Sequence, residues 1–248
     1  MKISIIASAH RTELWKDFYD SIITNIDFEV IFVSDREPTE EEQAYLKLRP
    51  KFKYIISQVK PAQCFEIAYR QSTGDFVIWT GDDFIYSPYA FDHVVNMYKS
   101  MHDYRAMISF TNYENGDKVI QNHRVPWDES KLIQLSTSAL ISKQAIEEAG
   151  GLADINFVAG HWDVDLMMRI YALGGNVHVC PTAISYEPHL LFHKSESNFA
   201  LTWREELDYF THLWCKDGKT VWERQEVFQP YINENLLTLS QGKTGKWK

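Results

Sequence analysis

The sequence predicts an α/β domain with a mostly parallel central sheet flanked by helices, followed by a C-terminal helical extension. Three observations carry that prediction. Apolar runs of strand length alternate with segments of helical period, the pattern of a doubly covered parallel sheet. One such run, Asp75–Thr80, stops at two adjacent carboxylates, Asp82 and Asp83, and in open α/β sheets ligands lie beyond the carboxyl ends of the strands. No internal repeat or Pro/Ser-rich linker divides the 248 residues, so they read as one large domain.

The elements follow in order. Lys2–Ala7 reads as the first strand. Glu13–Ile26 reads as a helix with Leu14, Phe18, Ile22, Ile23 and Ile26 on one face and Thr12 as its N-cap. Glu29–Ser34 is a strand buried on both faces. An acidic helix around Thr39–Leu48, a strand at Phe52–Ile56 and a helix at Gln63–Gln71 lead to Asp75–Thr80. A helix from Tyr89 to His102 and a strand at Ala106–Phe110 come next, then a polar loop, Asn112–Asp128, of a length that points to function. A strand at Ala139–Ile141 and a helix at Lys143–Ala149 precede the break Gly150-Gly151. Val164–Leu173 is helical by period and Asn176–Cys180 is a strand. Helices are expected at Phe199–Trp214 and Val221–Ile232, which divides the chain into a core at 1–198, an extension at 199–240 and a disordered tail at 241–248.

Composition narrows the function. The chain is 45% hydrophobic and 24% charged, an ordinary globular mixture. No apolar run reaches the roughly 20 residues of a membrane span, so no stable membrane insertion is expected. Cys64, Cys180 and Cys215 are far apart and form no CxxC pair, which predicts a reducing, cytoplasmic setting. The net charge of −9 argues against a general nucleic-acid surface.

Several residues at strand ends are candidates for chemistry. Asp35 closes the second strand, where a carboxylate can bind a base or ribose or cap a turn. The first strand ends Ala7-Ser8-Ala9-His10-Arg11 and lacks the GxGxxG of dinucleotide binders. Asp82 and Asp83 point to opposite sides of an extended backbone unless the chain turns there. Asp163 opens a helix, as an N-terminal charge or as a general base beside an aromatic. Asp165 and Arg169, at i and i+4, can pair on that helix's surface. His189 and His193 share the same spacing, but Pro188 favours a loop.

These clusters, in this order, resemble family 2 glycosyltransferases of the GT-A (Rossmann-like) fold. Ile5–Arg11 resembles the family's first strand, which usually ends Pro-Thr-Tyr-Asn-Arg, and Glu29–Asp35 resembles its second. Gly74–Asp83 resembles the strand entering its Asp-x-Asp motif, and Gly150–Gly174 resembles its Gly-Gly-Phe-Asp…Glu-Asp-x-Asp-Leu…Arg segment. Gly81 stands in the place of the first acid and Trp162 in that of the Glu. No Arg-Asn pair precedes the metal strand, so Lys60 or Arg70 is left as a diphosphate partner.

The resemblance implies inverting sugar transfer from a nucleotide-diphosphate donor, with UDP-sugars favoured. It implies Asp163 as catalytic base, and Mn²⁺ or Mg²⁺ on Asp83 with His193 completing the shell. Donor contacts are expected from Ala7, Ser8, His10, Arg11, Asp35, Gly81, Asp82 and Trp162, the last by stacking on a sugar or by walling off water. His161, Arg124 and Trp127 are expected on the acceptor side. The acceptor is expected to be a surface or lipid-linked glycan, or alternatively a hydroxylated base in phage DNA. A sugar nucleotidyltransferase is a rival reading, though the Gly-rich basic loop it needs is missing at Ala7–Arg11. A degenerate, binding-only relative is another, resting on Gly81 and Trp162.

Overall fold

The computed structural model describes residues 1–118, 122–125, 128–134, 136–188, 206, 209–210, 213–216 and 219–220. Its first half is a parallel sheet built by right-sized alternation. Strands β1 (Lys2–Ser8), β2 (Asp27–Ser34), β3 (Phe52–Ile56) and β4 (Phe76–Trp79) lie in the order β3-β2-β1-β4, all parallel. Helices α1 (Trp15–Asp20), α2 (Glu40–Lys47) and α3 (Pro61–Gln71) connect them. Ile3, Ile5, Val30 and Phe32 fill one side of the sheet, and Ile6, Ile31, Val33 and Val77 fill the other. Burial on both faces is why β1, β2 and β4 read as apolar runs, whereas β3, at the sheet edge, is largely exposed. Thr39 caps α2 in a reciprocal box with Glu42.

The second half mixes directions. It comprises β5 (Ile85–Tyr86), α4 (Ala90–Met101), β6 (Met107–Glu114), β7 (Asp117–Lys118), β8 (Asn122–Val125) and β9 (Asp128–Gln134). Then come β10 (Ala139–Ser142), α5 (Lys143–Glu148), α6 (Trp162–Ala172) and β11 (Val177–Glu187). Among the described residues nine strands form one sheet, ordered β3-β2-β1-β4-β10-β6-β11-β5 with β7 on β6. Strand β10 runs antiparallel between β4 and β6, whereas β11 is parallel to β6. Two hairpins stand apart: β8 with β9, and β12 (Cys215–Lys216) with β13 (Lys219–Thr220).

Four expectations change. The helix expected over Glu13–Ile26 is a 3₁₀ turn, Thr12–Leu14, followed by α1, which ends at Asp20. Ser21 Oγ donates to the Phe18 carbonyl at 2.6 Å, and Asp92 accepts from Thr24 Oγ1 at 2.6 Å and from the Asn25 amide at 3.2 Å. Those side-chain bonds compete with helix in a stretch of weak helix formers. Ile23 is accordingly 46% exposed, and Thr12 caps nothing.

The polar loop Asn112–Asp128 is in part strand: β6 runs to Glu114, and β7 and β8 lie within it. The strand expected over Asn176–Cys180 continues to Glu187, through a register shift between Cys180 and Ile184 that absorbs Pro181. In the C-terminal region Glu206, Tyr209, Phe210, Leu213 and Trp214 are helical. The helix expected at Val221–Ile232 and the tail at 241–248 lie outside the described residues. No helix among the described residues is long and apolar enough to cross a membrane.

Candidate active site

The carboxyl ends of β1, β2 and β4 meet at one place because the strands are adjacent and parallel. The chain turns at Asp82–Asp83, so both carboxylates reach one partner instead of diverging. Asp82 Oδ2 accepts the backbone amides of His10 at 2.7 Å and Arg11 at 2.8 Å. Asp82 Oδ1 accepts Arg11 Nε at 3.0 Å and also pairs with Nη2. Arg11 Nη1 is 2.8 Å from Asp83 Oδ2. The two acids are 1% and 2% exposed. Burial works against the Arg11 charge, but the carboxylates outweigh it and raise its pKa. Asp82 is therefore the residue that folds the β1 loop onto the site.

Gly81 fills the place of the missing first acid for a steric reason. A Cβ there would lie 2.6 Å from Asp83 Oδ1 and 2.9 Å from the Phe84 ring. A side chain at 81 and the present Asp83 geometry exclude each other.

Glu187, which the sequence reading did not single out, joins this cluster from the end of β11. Burial, then repulsion from Asp83 and Glu114, push its pKa up to about 7, against a hydrogen bond from Asn112 and the charge of Arg11. Its signal in the sequence was hidden because the strand was expected to stop before Pro181. Among the described residues no group of three or more His, Cys, Asp or Glu is arranged as a metal cage. His189 and His193 lie outside the described residues, as does Trp127; Arg124 is described only as backbone of β8.

On the β2 side, His10 Nδ1 and Asp35 Oδ1 are 2.6 Å apart, both exposed. Burial pushes the Cys64 thiol up to about 11; a hydrogen bond with Ser8 opposes this, and Asp35 adds to it. Ala7 is fully buried, backbone included, within the β1–β2 ladder. Arg70 is held by Glu66 at 2.8 Å, one turn away on α3, while Lys60 is the N-cap residue of that helix.

The second cluster is built on α6. Its N-cap, His161, has a left-handed backbone with φ 57°. Trp162 is 4% exposed and packs 4.5 Å from the Phe65 ring and 6.0 Å from Trp79. Of its two expected roles, burial fits the wall and leaves no face for stacking on a sugar. Trp162 also ties the start of α6 to the end of β4, the strand that leads to Asp82 and Asp83. Asp163 is half-buried. Burial raises its pKa, against bonds from its own amide and that of Val164. Burial lowers the pKa of His161, with the Glu206 charge opposing.

Asp165 and Arg169 pair as expected, at 2.8 Å, but in the core and not on the surface. Arg169 also donates to the carbonyls of Ala149, Gly151 and Leu152 at 2.8, 2.6 and 2.8 Å. These carbonyls end α5 at the Gly150-Gly151 break, where φ reaches 88° and 122°, and need donors. Trp214 Nε1 donates to Asp165 at 2.8 Å. Glu206, a second residue missed in the sequence, accepts the amides of Val158, Ala159 and Gly160. No local sequence pattern announces it, since its partners lie more than forty positions away.

Solved structures share this architecture. TarS residues 1–349 of S. aureus in complex with UDP-GlcNAc superposes with a TM-score of 0.63 at 15% identity, over 98% of this chain and 74% of that one. GalNAc-T7 with UDP, GalNAc and Mn²⁺ gives 0.60 at 14% identity, over 99% of this chain and 56% of that one. At such identities these likenesses show the fold. No curated protein matches the sequence. The sequence model of glycosyl transferase family 2 matches residues 6–153, more than half of the chain, and the chain accordingly belongs to glycosyl transferase family 2 and is a GT-A glycosyltransferase.

Proposed function

We propose that the enzyme transfers a sugar, with inversion, from a nucleotide-diphosphate donor to an acceptor hydroxyl, with Asp163 as general base. The observation that carries this reading is the Asp163 carboxyl group: it sits at the start of α6 with a pKa raised by burial. A raised pKa brings a carboxylate closer to the value useful for taking a proton near neutrality. Asp163 takes the acceptor's hydroxyl proton while that oxygen bonds to the anomeric carbon. The bond from that carbon to the diphosphate breaks, and its electron pair leaves with the nucleotide. A UDP-sugar is the favoured donor, because the TarS and GalNAc-T7 structures contain UDP-GlcNAc and UDP respectively.

Asp35 and Ser8 would face the base and ribose. His10 would stand beside them, with Ala7 buried behind them at the end of β1. Arg11, Gly81 and Asp82 would shape the floor under the diphosphate. Mn²⁺ or Mg²⁺ fits the donor set: Asp83 and Glu187 offer hard oxygen ligands, and the repulsion that helps lift Glu187 to about 7 marks a place short of positive charge. A cation there would stabilise the departing diphosphate. His193 would complete the shell, and His161, Arg124 and Trp127 would face the acceptor, which is a surface or lipid-linked glycan or a hydroxylated base in DNA.

The test is transfer and diphosphate release by Asp163→Asn across a panel of nucleotide-sugars, with UDP affinity measured by calorimetry. The expected result is lost turnover with UDP binding retained. Full turnover in that variant removes Asp163 from the base role.

A further inference from the structure

Glu206 is 3% exposed, and its carboxylate accepts three consecutive backbone amides, from Val158 at 2.9 Å, Ala159 at 2.8 Å and Gly160 at 2.6 Å. Successive amides converging on one point form an anion-binding nest. Here the anion is part of the chain itself, delivered from the C-terminal region. The bonds are charge-assisted and so stronger than neutral ones. The same segment grips the turn elsewhere. Tyr209 Oη donates to Asp154 at 3.2 Å and accepts from Asn156 Nδ2 at 2.7 Å. Phe210 lies 5.9 Å from the His161 ring, and Trp214 holds Asp165. On its other side the turn is fixed by the Ala62 amide donating to the Val158 carbonyl at 3.0 Å.

Directly after Gly160 comes His161, whose left-handed backbone sets the direction in which α6 begins. A non-Gly residue with positive φ persists only where its surroundings hold it. We propose that Glu206 is a positioning residue: by closing the 158–160 nest it fixes the turn into α6, and with it the aim of the Asp163 carboxylate. The inference rests on Asp163 being the base. It makes the C-terminal segment part of the catalytic apparatus, acting through backbone geometry and without touching substrate.

The experiment compares Glu206→Ala, Glu206→Gln and Asp163→Asn in the full chain. Readouts are kcat, donor KM, UDP affinity, melting temperature and amide hydrogen exchange. Glu206→Ala is expected to lower kcat about 100-fold, the scale of a misplaced catalytic group, with donor KM changed by no more than about threefold. Exchange should quicken at 158–163 and stay slow in β1 and β4. Glu206→Gln keeps one acceptor oxygen and turns an NH₂ toward an amide, so its loss should be smaller, about tenfold. Should Glu206→Ala fail to fold, the Gln variant carries the test. In an Asp163→Asn background, removing Glu206 should cost no further kcat, since the two act as one unit.

A folded Glu206 variant with wild-type kcat overturns the inference. So does a loss in which donor affinity and protection fall together across the whole sheet. The two readings separate cleanly. An inactive Asp163→Asn beside fully active Glu206 variants sinks the positioning role alone, whereas a fully active Asp163→Asn sinks both.

Discussion

The Arg11 guanidinium lies between the two acids that follow β4, with Nη1 2.8 Å from Asp83 Oδ2 and Nε 3.0 Å from Asp82 Oδ1. The carboxylates are buried, and the arginine side chain keeps 19% exposure. Without a cation the arginine is their counter-charge, and a divalent ion on Asp83 would compete with it for the same oxygen. Removing one member of a buried pair costs about 3–5 kcal/mol. Arg11→Met should therefore lower stability by about 3 kcal/mol, near the low end because of that exposure. Mn²⁺ should raise the melting temperature of the variant more than that of the wild type. Equal shifts in both proteins would count against Asp83 as a ligand.

Gly81 bears on the same carboxylate. Restoring an acid there should weaken the site, because the new Cβ starts 2.6 Å from Asp83 Oδ1. Gly81→Ala and Gly81→Asp are expected to lose about 1–3 kcal/mol by overpacking and to bind Mn²⁺ with UDP less tightly than wild type in calorimetry. Tighter binding by Gly81→Asp would show that the turn can open to admit a second acid.

Much of this was legible in the sequence, and the reasons are physical. Parallel strands such as β2 declare themselves because both faces are buried, and the acidic helix expected around Thr39–Leu48 starts where Thr39 caps α2 by local chemistry. Asp83 and Asp163 stand at element boundaries, where motifs are read. What escaped depended on distant partners. Asp92 ends the first helical stretch from another element, β11 crosses a proline by bulging, and Glu206 meets its amides only after the chain has returned. The burial of Asp165 with Arg169 was likewise invisible, since i,i+4 spacing looks the same on a surface and in a core.

The raised pKa of Asp163 has a signed consequence. Its base form grows as pH rises, so the acid limb of kcat should fall at a pH above the ordinary carboxylate value of about 4. A folded pKa above the unfolded one means the group's stabilising contribution is present below the unfolded value and lost as pH rises through the folded one. Asp163→Asn should thus gain stability relative to wild type as pH rises through that window. Thermal melts of both proteins from pH 4 to pH 8 check this, and a constant difference would show that burial does not strain the ionised form.

The buried triad of Asp165, Arg169 and Trp214 makes the last prediction. Arg169 serves one carboxylate and three carbonyls at once, a task suited to the guanidinium fork and not to a single ammonium. Arg169→Met strands Asp165 and should cost at least about 3–5 kcal/mol in urea unfolding at neutral pH. Arg169→Lys should recover only part of that. Trp214→Phe removes one bond to a charged group and should cost about 1.5–3 kcal/mol. The loss in Arg169→Met should shrink in acid. Burial already pushes Asp165 up to about 6 against the pull of Arg169, and without the arginine its carboxyl group takes a proton at higher pH still. Protonation relieves the stranded charge, so the variant recovers stability relative to wild type as pH falls. A loss independent of pH would assign the cost to the three carbonyls at the end of α5 and not to the ion pair.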